Sequence, residues 1–310
     1  MNIVFFGTPD FAVKTLEAIV AAGHNVRAVI TQPDKPKGRS KELCMPPVKE
    51  TALKYNIPVI QPVKVRTPEF VEEIRSFEPD AIVVVAFGRI LVKDIINMPK
   101  YGCINVHSSL LPKYRGAAPI QWAVVNGDEK SGVTTMLMDE GLDTGDILMQ
   151  EELVLDRKET GGSLFDKLAD IGAKLLIKTL EALENGTAAR TPQNELLASH
   201  VEMIKKEDGL IRFTKSAKEI ECLIRGFNPW PSAYTYLDGK VLKIWDADVL
   251  DGKCDGALGE ITEITKSQII VNTGNGRLAI NELQLEGKKR MTTDAFLRGM
   301  KLEKGTVLGK

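Results

Sequence analysis

The chain of 310 residues is longer than one typical domain and has room for a large core. Its 43% hydrophobic and 27% charged residues, with a net charge of −1, exclude a low-complexity chain and a globally basic nucleic-acid binder. Cys44, Cys103, Cys222 and Cys254 are too scattered for a disulfide framework or a zinc site, so no metal is expected and a reducing cytosol is favoured. The first twenty residues carry Asp10, Lys14 and Glu17, which argues against a signal peptide. The longest apolar run, residues 81–87, is far too short to span a membrane.

In chain order, NIVFFG reads as a short buried strand, and Pro9 opens a helix through about Ala22 with Gly23 as its stop. NVRAVIT is the next strand, so the chain begins as a strand–helix–strand unit with parallel strands. Residues 32–47 are Pro-rich and basic and read as a long loop, and residues 34–49 hold 5 Lys or Arg against 2 Asp or Glu. Helices are expected at 48–55 and 68–77, followed by the buried strand AIVVVAF. GCINVH is another strand, 117–125 a helix, and GVTTMLMD and 147–155 an antiparallel pair. Residues 161–186 form one long amphipathic helix with Leu164, Leu168, Ile171, Leu175 and Leu180 on its apolar face.

Residues 187–206 lack periodicity and read as a linker between a 1–186 domain and a 207–310 domain. The second part has a different grammar: a helix at 216–226, then short β-rich pieces separated by DG, NG and GN turns. The fold class is therefore α/β, a Rossmann-like, mostly parallel sheet followed by a small OB-like β-barrel. The last 25 residues hold 7 basic and 3 acidic side chains. Two basic patches on a neutral chain suit a polyanionic substrate, although solvated faces give the same pattern.

The chemistry concentrates in CINVHSSLLPKYRG, which ends a strand and carries Asn105 and His107. Only three histidines occur in the chain, and His24 and His200 read as ordinary surface residues. An amide can donate to an oxyanion, an imidazole can polarise a carbonyl or shuttle a proton, and a carboxylate can orient that imidazole. Asp143, in the turn-rich MDEGLDTGDI, is the candidate carboxylate, and Asp139, Glu140 and Asp146 are rivals that local sequence does not rank. GTPDFA is neither GxGxxG nor a P-loop, and HExxH, GxSxG and CxxC are absent.

NVHSSLLPKYRGAAPIQ followed by MDEGLDTGDIL resembles the 10-formyltetrahydrofolate-dependent formyltransferases. GTPDFA, AAPIQWA, FNPWPSAYT and GKKRMTTDAFLRG resemble the branch of that family acting on aminoacylated tRNA, and the likeness covers nearly the whole chain. The resemblance implies an enzyme that moves the formyl group of 10-formyltetrahydrofolate to the α-amino group of methionyl-initiator tRNA, for translation initiation in the bacterial cytoplasm. It implies Asn105, His107 and Asp143 as catalytic residues. Ser109, Leu110, Leu111 and Pro112 would line the folate site, with Phe87, Ile90, Leu91, Asp139 and Gly141 flanking the pterin. The 32–47 segment would enter the tRNA acceptor arm. The implied partners are folate and tRNA, with no membrane and no stable protein partner.

Overall fold

The computed structural model describes residues 1–37, 42–252 and 255–309. The middle of the basic segment and Cys254 lie outside the described residues. The chain divides into two compact units, the first formed by 1–119, 131–153 and 165–201.

The first unit opens with β1 (Asn2–Gly7), α1 (Asp10–Ala21) and β2 (Asn25–Ile30). Next come β3 (Lys35–Lys37), β4 (Glu42–Cys44), α2 (Pro47–Lys54), β5 (Val59–Ile60), α3 (Pro68–Arg75), β6 (Ala81–Val85) and α4 (Lys93–Ile96). The chain continues with β7 (Cys103–His107), β8 (Arg115–Gly116), α5 (Pro119–Val125, which falls to the second unit from residue 120), β9 (Lys130–Leu137), β10 (Ile147–Val154), α6 (Gly161–Glu184) and β11 (His200–Val201). The main sheet has the order β10-β9-β7-β6-β1-β2-β5. Strands β5, β2, β1, β6 and β7 are parallel, and β9 runs against β7. All five residues of β6 are buried, as a central parallel strand covered on both faces requires. Strand order reverses between β1 and β6, and such switch points open a crevice at the carboxyl ends of the strands.

Local signals set most helix starts. Thr67 caps α3 by accepting from Phe70 N at 3.3 Å, with Pro68 at the first turn. Pro9 takes the N-cap position of α1, one residue before the helix proper. The helix expected from residue 117 begins at Pro119, because Ala118 sits at φ 59, outside helical space. The 32–47 segment is not an unstructured loop: β3 and β4 pair antiparallel, with Lys35 opposite Cys44. Their short polar strands carry no alternation for a sequence reading to detect. At the base of this hairpin Lys49 Nζ donates to both Asp34 oxygens, at 2.9 and 2.8 Å, and to Gln61 Oε1 at 2.8 Å. Lys49, counted as part of the basic patch, is thus engaged inside the fold.

The second unit comprises 120–130, 154–164 and 202–309, so it is discontinuous in sequence. Its elements are α7 (Ala217–Gly226), β12 (Ala233–Leu237), β13 (Lys240–Leu250), β14 (Ile261–Ile264), β15 (Ile269–Asn272), β16 (Arg277–Leu285), β17 (Met291–Thr292) and α8 (Thr293–Gly299). The antiparallel sheet has the order β12-β13-β16-β15-β14, with β17 also paired to β16. The tail joins its two edges. Ile261 N donates to Thr306 O and Leu308 N to Gly259 O, both at 2.8 Å, while Gly309 N donates to Tyr236 O at 2.8 Å. The tail thereby bonds to both edge strands of the sheet. Ile220, Ile224, Ile244, Val271, Leu278 and Ile280 belong to its core. The inserted segments bind to α7: Trp122 meets Phe227 edge to face at 6.0 Å, and Arg225 Nη1 donates to Glu159 O at 2.8 Å.

Candidate active site

Asn105 and His107 lie two residues apart on β7, so their side chains leave the same face of the sheet. Val106, between them, is buried on the other face. Asp143 arrives from the loop between β9 and β10, with its backbone in the left-handed region at φ 56. Asn105 Nδ2 donates to Asp143 Oδ1 at 3.3 Å, and Gly116 N donates to Asp143 Oδ2 at 2.8 Å. His107 Nδ1 faces Asp143 Oδ2 at 3.7 Å, with both side chains nearly buried. His107 Nε2 lies 2.9 Å from Tyr114 O. A carbonyl can only accept, so Nε2 carries a proton and the Nδ1 edge is turned to the carboxylate. Of the four acidic residues in the turn segment, Asp143 is the one that makes these contacts with Asn105 and His107.

The rival Asp139 has another task. It is exposed, and its Oδ1 accepts from Gly141 N at 3.0 Å and Thr144 Oγ1 at 2.7 Å, closing the turn that presents Asp143. Glu140 Oε1 pairs with Lys93 Nζ at 2.7 Å. That ion pair brings the 139–142 loop beside the start of α4, just after the 87–91 loop. Within these two loops Ile90 and Leu142 are exposed, whereas Phe87 and Leu91 are buried. Phe87 packs edge to face on Phe6, with ring centroids 5.1 Å apart.

The 109–112 loop is tied down from below. Thr134 Oγ1 donates to Ser109 O at 2.7 Å and accepts from Leu111 N at 3.1 Å. Gln150 Nε2 donates to Leu111 O and to Thr134 Oγ1, each at 2.9 Å. Ser109 and Leu111 are buried inside this loop, while Leu110 and Pro112 are half-buried. A cavity of about 410 Å³ lies beside the 139–146 turn, lined by residues that include Ile96, Cys103, Met138, Asp139 and Thr144. Of the residues expected to hold the folate, Asp139 lines it. Burial pushes the Cys103 thiol up, so it stays protonated and is no nucleophile.

Sequence reading missed a further layer. Arg115, in β8, is 1% exposed. Its Nε and Nη2 donate to Gln193 Oε1 at 3.1 and 2.9 Å, and Nη1 and Nη2 donate to the two Glu195 oxygens at 2.9 and 2.7 Å. The hydrogen bond to Glu195 raises the Arg115 pKa, and the same bond holds the Glu195 carboxyl below the ordinary carboxylate range. Gln193 Nε2 in turn donates to Asp143 O and Gly145 O, both at 2.8 Å. The segment read as a linker therefore supplies side chains within hydrogen-bonding distance of the site. Residues 200–201 pair as β11 with β8, and Tyr114 N donates to Ser199 Oγ at 2.9 Å. Among the described residues no group of three or more His, Cys, Asp or Glu side chains could hold a metal ion. No helix among them is long and apolar enough to cross a membrane.

Residues 1–180 match the family model described as formyl transferase, and residues 203–301 match that of the formyl transferase C-terminal domain. The chain belongs to the formyl transferase family. Within it, the chain is 59% identical over 315 residues to the methionyl-tRNA formyltransferase of Lachnospira eligens, covering 100% of both chains. It is 59% identical over 306 residues to the methionyl-tRNA formyltransferase of Agathobacter rectalis, covering 99% of each. Among solved structures, a sugar 3N-formyl transferase crystallised with dTDP and 5-N-formyl-THF superposes with a TM-score of 0.65 at 21% identity, covering 93% of this chain and 99% of that one. That likeness concerns the fold.

Proposed function

We propose that this protein transfers the formyl group of 10-formyltetrahydrofolate to the α-amino group of methionyl-initiator tRNA, supplying the starting residue for bacterial translation. Full-length identity of 59% to enzymes of that name supports the reading. The observation that carries it at the site is the meeting of Asn105, His107 and Asp143 at the carboxyl end of β7.

Folate enters as a co-substrate, and the loops beside the site fit it. Ile90 and Leu142 are large apolar side chains left 62% and 58% exposed on the two loops joined by Lys93 and Glu140. An aromatic ring system between them would remove that surface from water. The donor supplies an acyl carbon already bonded to nitrogen.

The chain's own groups handle charge and proton. The amine lone pair attacks the formyl carbon, and negative charge grows on the formyl oxygen. Asn105 Nδ2 spends one hydrogen on Asp143, leaving its second to bond that oxygen. His107 leaves the same face of β7 with its Nδ1 edge toward Asp143, so positive charge on the ring can stabilise the oxygen while the carboxylate balances it. Asp143 accepts the proton released by the attacking amine and passes it toward N10. The carbon–N10 bond then breaks, its electron pair stays on N10, and N10 takes up the proton. Neither reacting nitrogen leaves a net charge in the site.

Lys35 near the hairpin base and the exposed Lys288, Lys289 and Lys304 of the second unit are assigned to tRNA phosphates. The test is formyl transfer to charged initiator tRNA, beside charged elongator tRNA, free methionine and a nucleotide-linked amino sugar. Preference for the initiator is expected, with the logarithm of kcat/KM for tRNA falling linearly with log salt. Transfer to the amino sugar alone, or a tRNA response that ignores salt, would overturn the reading.

A further inference from the structure

Asp143 holds a left-handed backbone conformation that is uncommon outside glycine, at φ 56. Its own carboxylate is occupied with Asn105, Gly116 and His107, so it does not restrain its own main chain. Beside the Asp139 bonds that close the turn, Gln193 holds the main chain of Asp143 itself. The Gln193 amide has one acceptor and two donor hydrogens, and its orientation follows from its neighbours rather than from its own shape. Arg115 only donates, and two of its nitrogens point at Gln193 Oε1. The Nε2 end must therefore face the carbonyls of Asp143 and Gly145, both of which only accept. Every donor in this chain meets an acceptor, and a flipped amide would place like against like at four contacts.

Burial makes the chain stiff. Arg115 is 1% exposed, and a guanidinium so placed becomes a costly uncompensated charge if its partners are lost. Glu195, 70% exposed, closes the outer end with a two-pronged ion pair. Parallel pairing of Arg115–Gly116 with His200–Val201 holds Arg115 and the 193–195 segment in register. The same pairing sets Gly116 N against Asp143 Oδ2. One short strand pair thus fixes both the main chain and the carboxylate of Asp143.

We infer that Gln193, locked by Arg115, is a positioning residue for formyl transfer: it sets the Asp143 carboxylate against Asn105 and His107 without touching either substrate. The inference rests on the formyl-transfer reading of the site. It predicts a loss in kcat rather than in binding, because the Gln193 amide is already spent on Arg115 and the Asp143 and Gly145 carbonyls. A displacement of about 1 Å in a reacting group can cost about 10²-fold in rate.

The experiment compares Gln193→Ala and Gln193→Glu with the wild-type protein, measuring kcat, both KM values and the melting temperature. Gln193→Glu keeps an acceptor for Arg115 but has no hydrogen for the two carbonyls. A role confined to neutralising Arg115 would leave it active. The expected result is a kcat lowered roughly tenfold to a hundredfold in both variants, with both KM values within about twofold of wild type. Gln193→Glu should melt no lower than Gln193→Ala, so it remains informative if the alanine variant folds poorly. A Gln193→Glu enzyme with wild-type kcat, or variants that raise KM with kcat unchanged, would overturn the inference. A wild-type protein that transfers no formyl group would instead overturn the reading beneath it.

Discussion

Replacing Asp143 by Asn removes one charge and keeps nearly the same shape. Asn tolerates the left-handed backbone that Asp143 occupies at φ 56, so the loop need not move. The new amide has one oxygen, and two donors compete for it: Gly116 N at 2.8 Å and Asn105 Nδ2 at 3.3 Å. The shorter backbone contact wins, which turns an NH₂ group toward the Asn105 amide and forfeits that bond. The retained bond falls from a charge-assisted value of about 1.5–3 kcal/mol to a neutral one of about 0.5–1.5 kcal/mol. Folding stability should therefore drop by about 1–2 kcal/mol, a shift of a few degrees in melting temperature. Activity should fall far more, because the proton carrier and the countercharge to His107 vanish together. A loss of about 10²–10⁴ in kcat is expected. The assay is single-turnover formyl transfer at saturating substrates, run beside calorimetric melting. A variant within about threefold of wild-type kcat would refute the assigned role of Asp143. A variant with both rate and melting temperature collapsed would show that the carboxylate mainly holds the loop.

Thr134→Val should destabilise the first unit by about 1–3 kcal/mol, since the buried Leu111 N loses its acceptor; urea denaturation measures this. Gly145→Ala should be the more damaging of two glycine changes, because a Cβ there would fall 1.7 Å from Leu137 O and force the Asp143 loop apart. Gly299→Ala has open space and should gain about 0.5–1 kcal/mol in melting experiments. In α7, Ser216 Oγ accepts from Glu219 N at 3.2 Å, while Glu219 Oε2 accepts from Ser216 N at 2.9 Å, so Ser216→Ala should cost about 1 kcal/mol. The Ser216 backbone N–H, then the Lys215 and Ser216 side chains, hold the Glu219 carboxyl down to about 2. Its folded pKa lies below the ordinary 4.5, so this contribution is present above that pH and is lost as pH falls toward 2. Glu219 is about half exposed, so the effect is screened, and the stability difference between wild type and Glu219→Gln should be constant above about pH 4.5 and shrink only as pH falls from there toward 2.

Periodicity alone placed the long α6 and the central β6, because a buried strand and an amphipathic helix write their burial into every residue. The pairing of Asn105 with His107 was equally legible, since two residues apart on a strand means one face. Asp143 could be shortlisted but not chosen over Asp139, Glu140 and Asp146. That choice required the hydrogen bonds from Asn105 and Gly116, whose sequence separations are 38 and 27 residues. Gln193 carried no signal at all: its segment is polar and aperiodic, and its bond with Arg115 spans 78 residues. Lys49 looked like a phosphate ligand until the fold set it against Asp34 and Gln61. The discontinuous second unit was hidden for the same reason, since segments 120–130 and 154–164 join α7 through contacts that no local pattern records. Residue types and their spacing determined which chemistry this chain can attempt. Only tertiary structure decided which carboxylate takes part and what holds it, because a hydrogen bond between distant side chains leaves no periodic trace in the residues that make it.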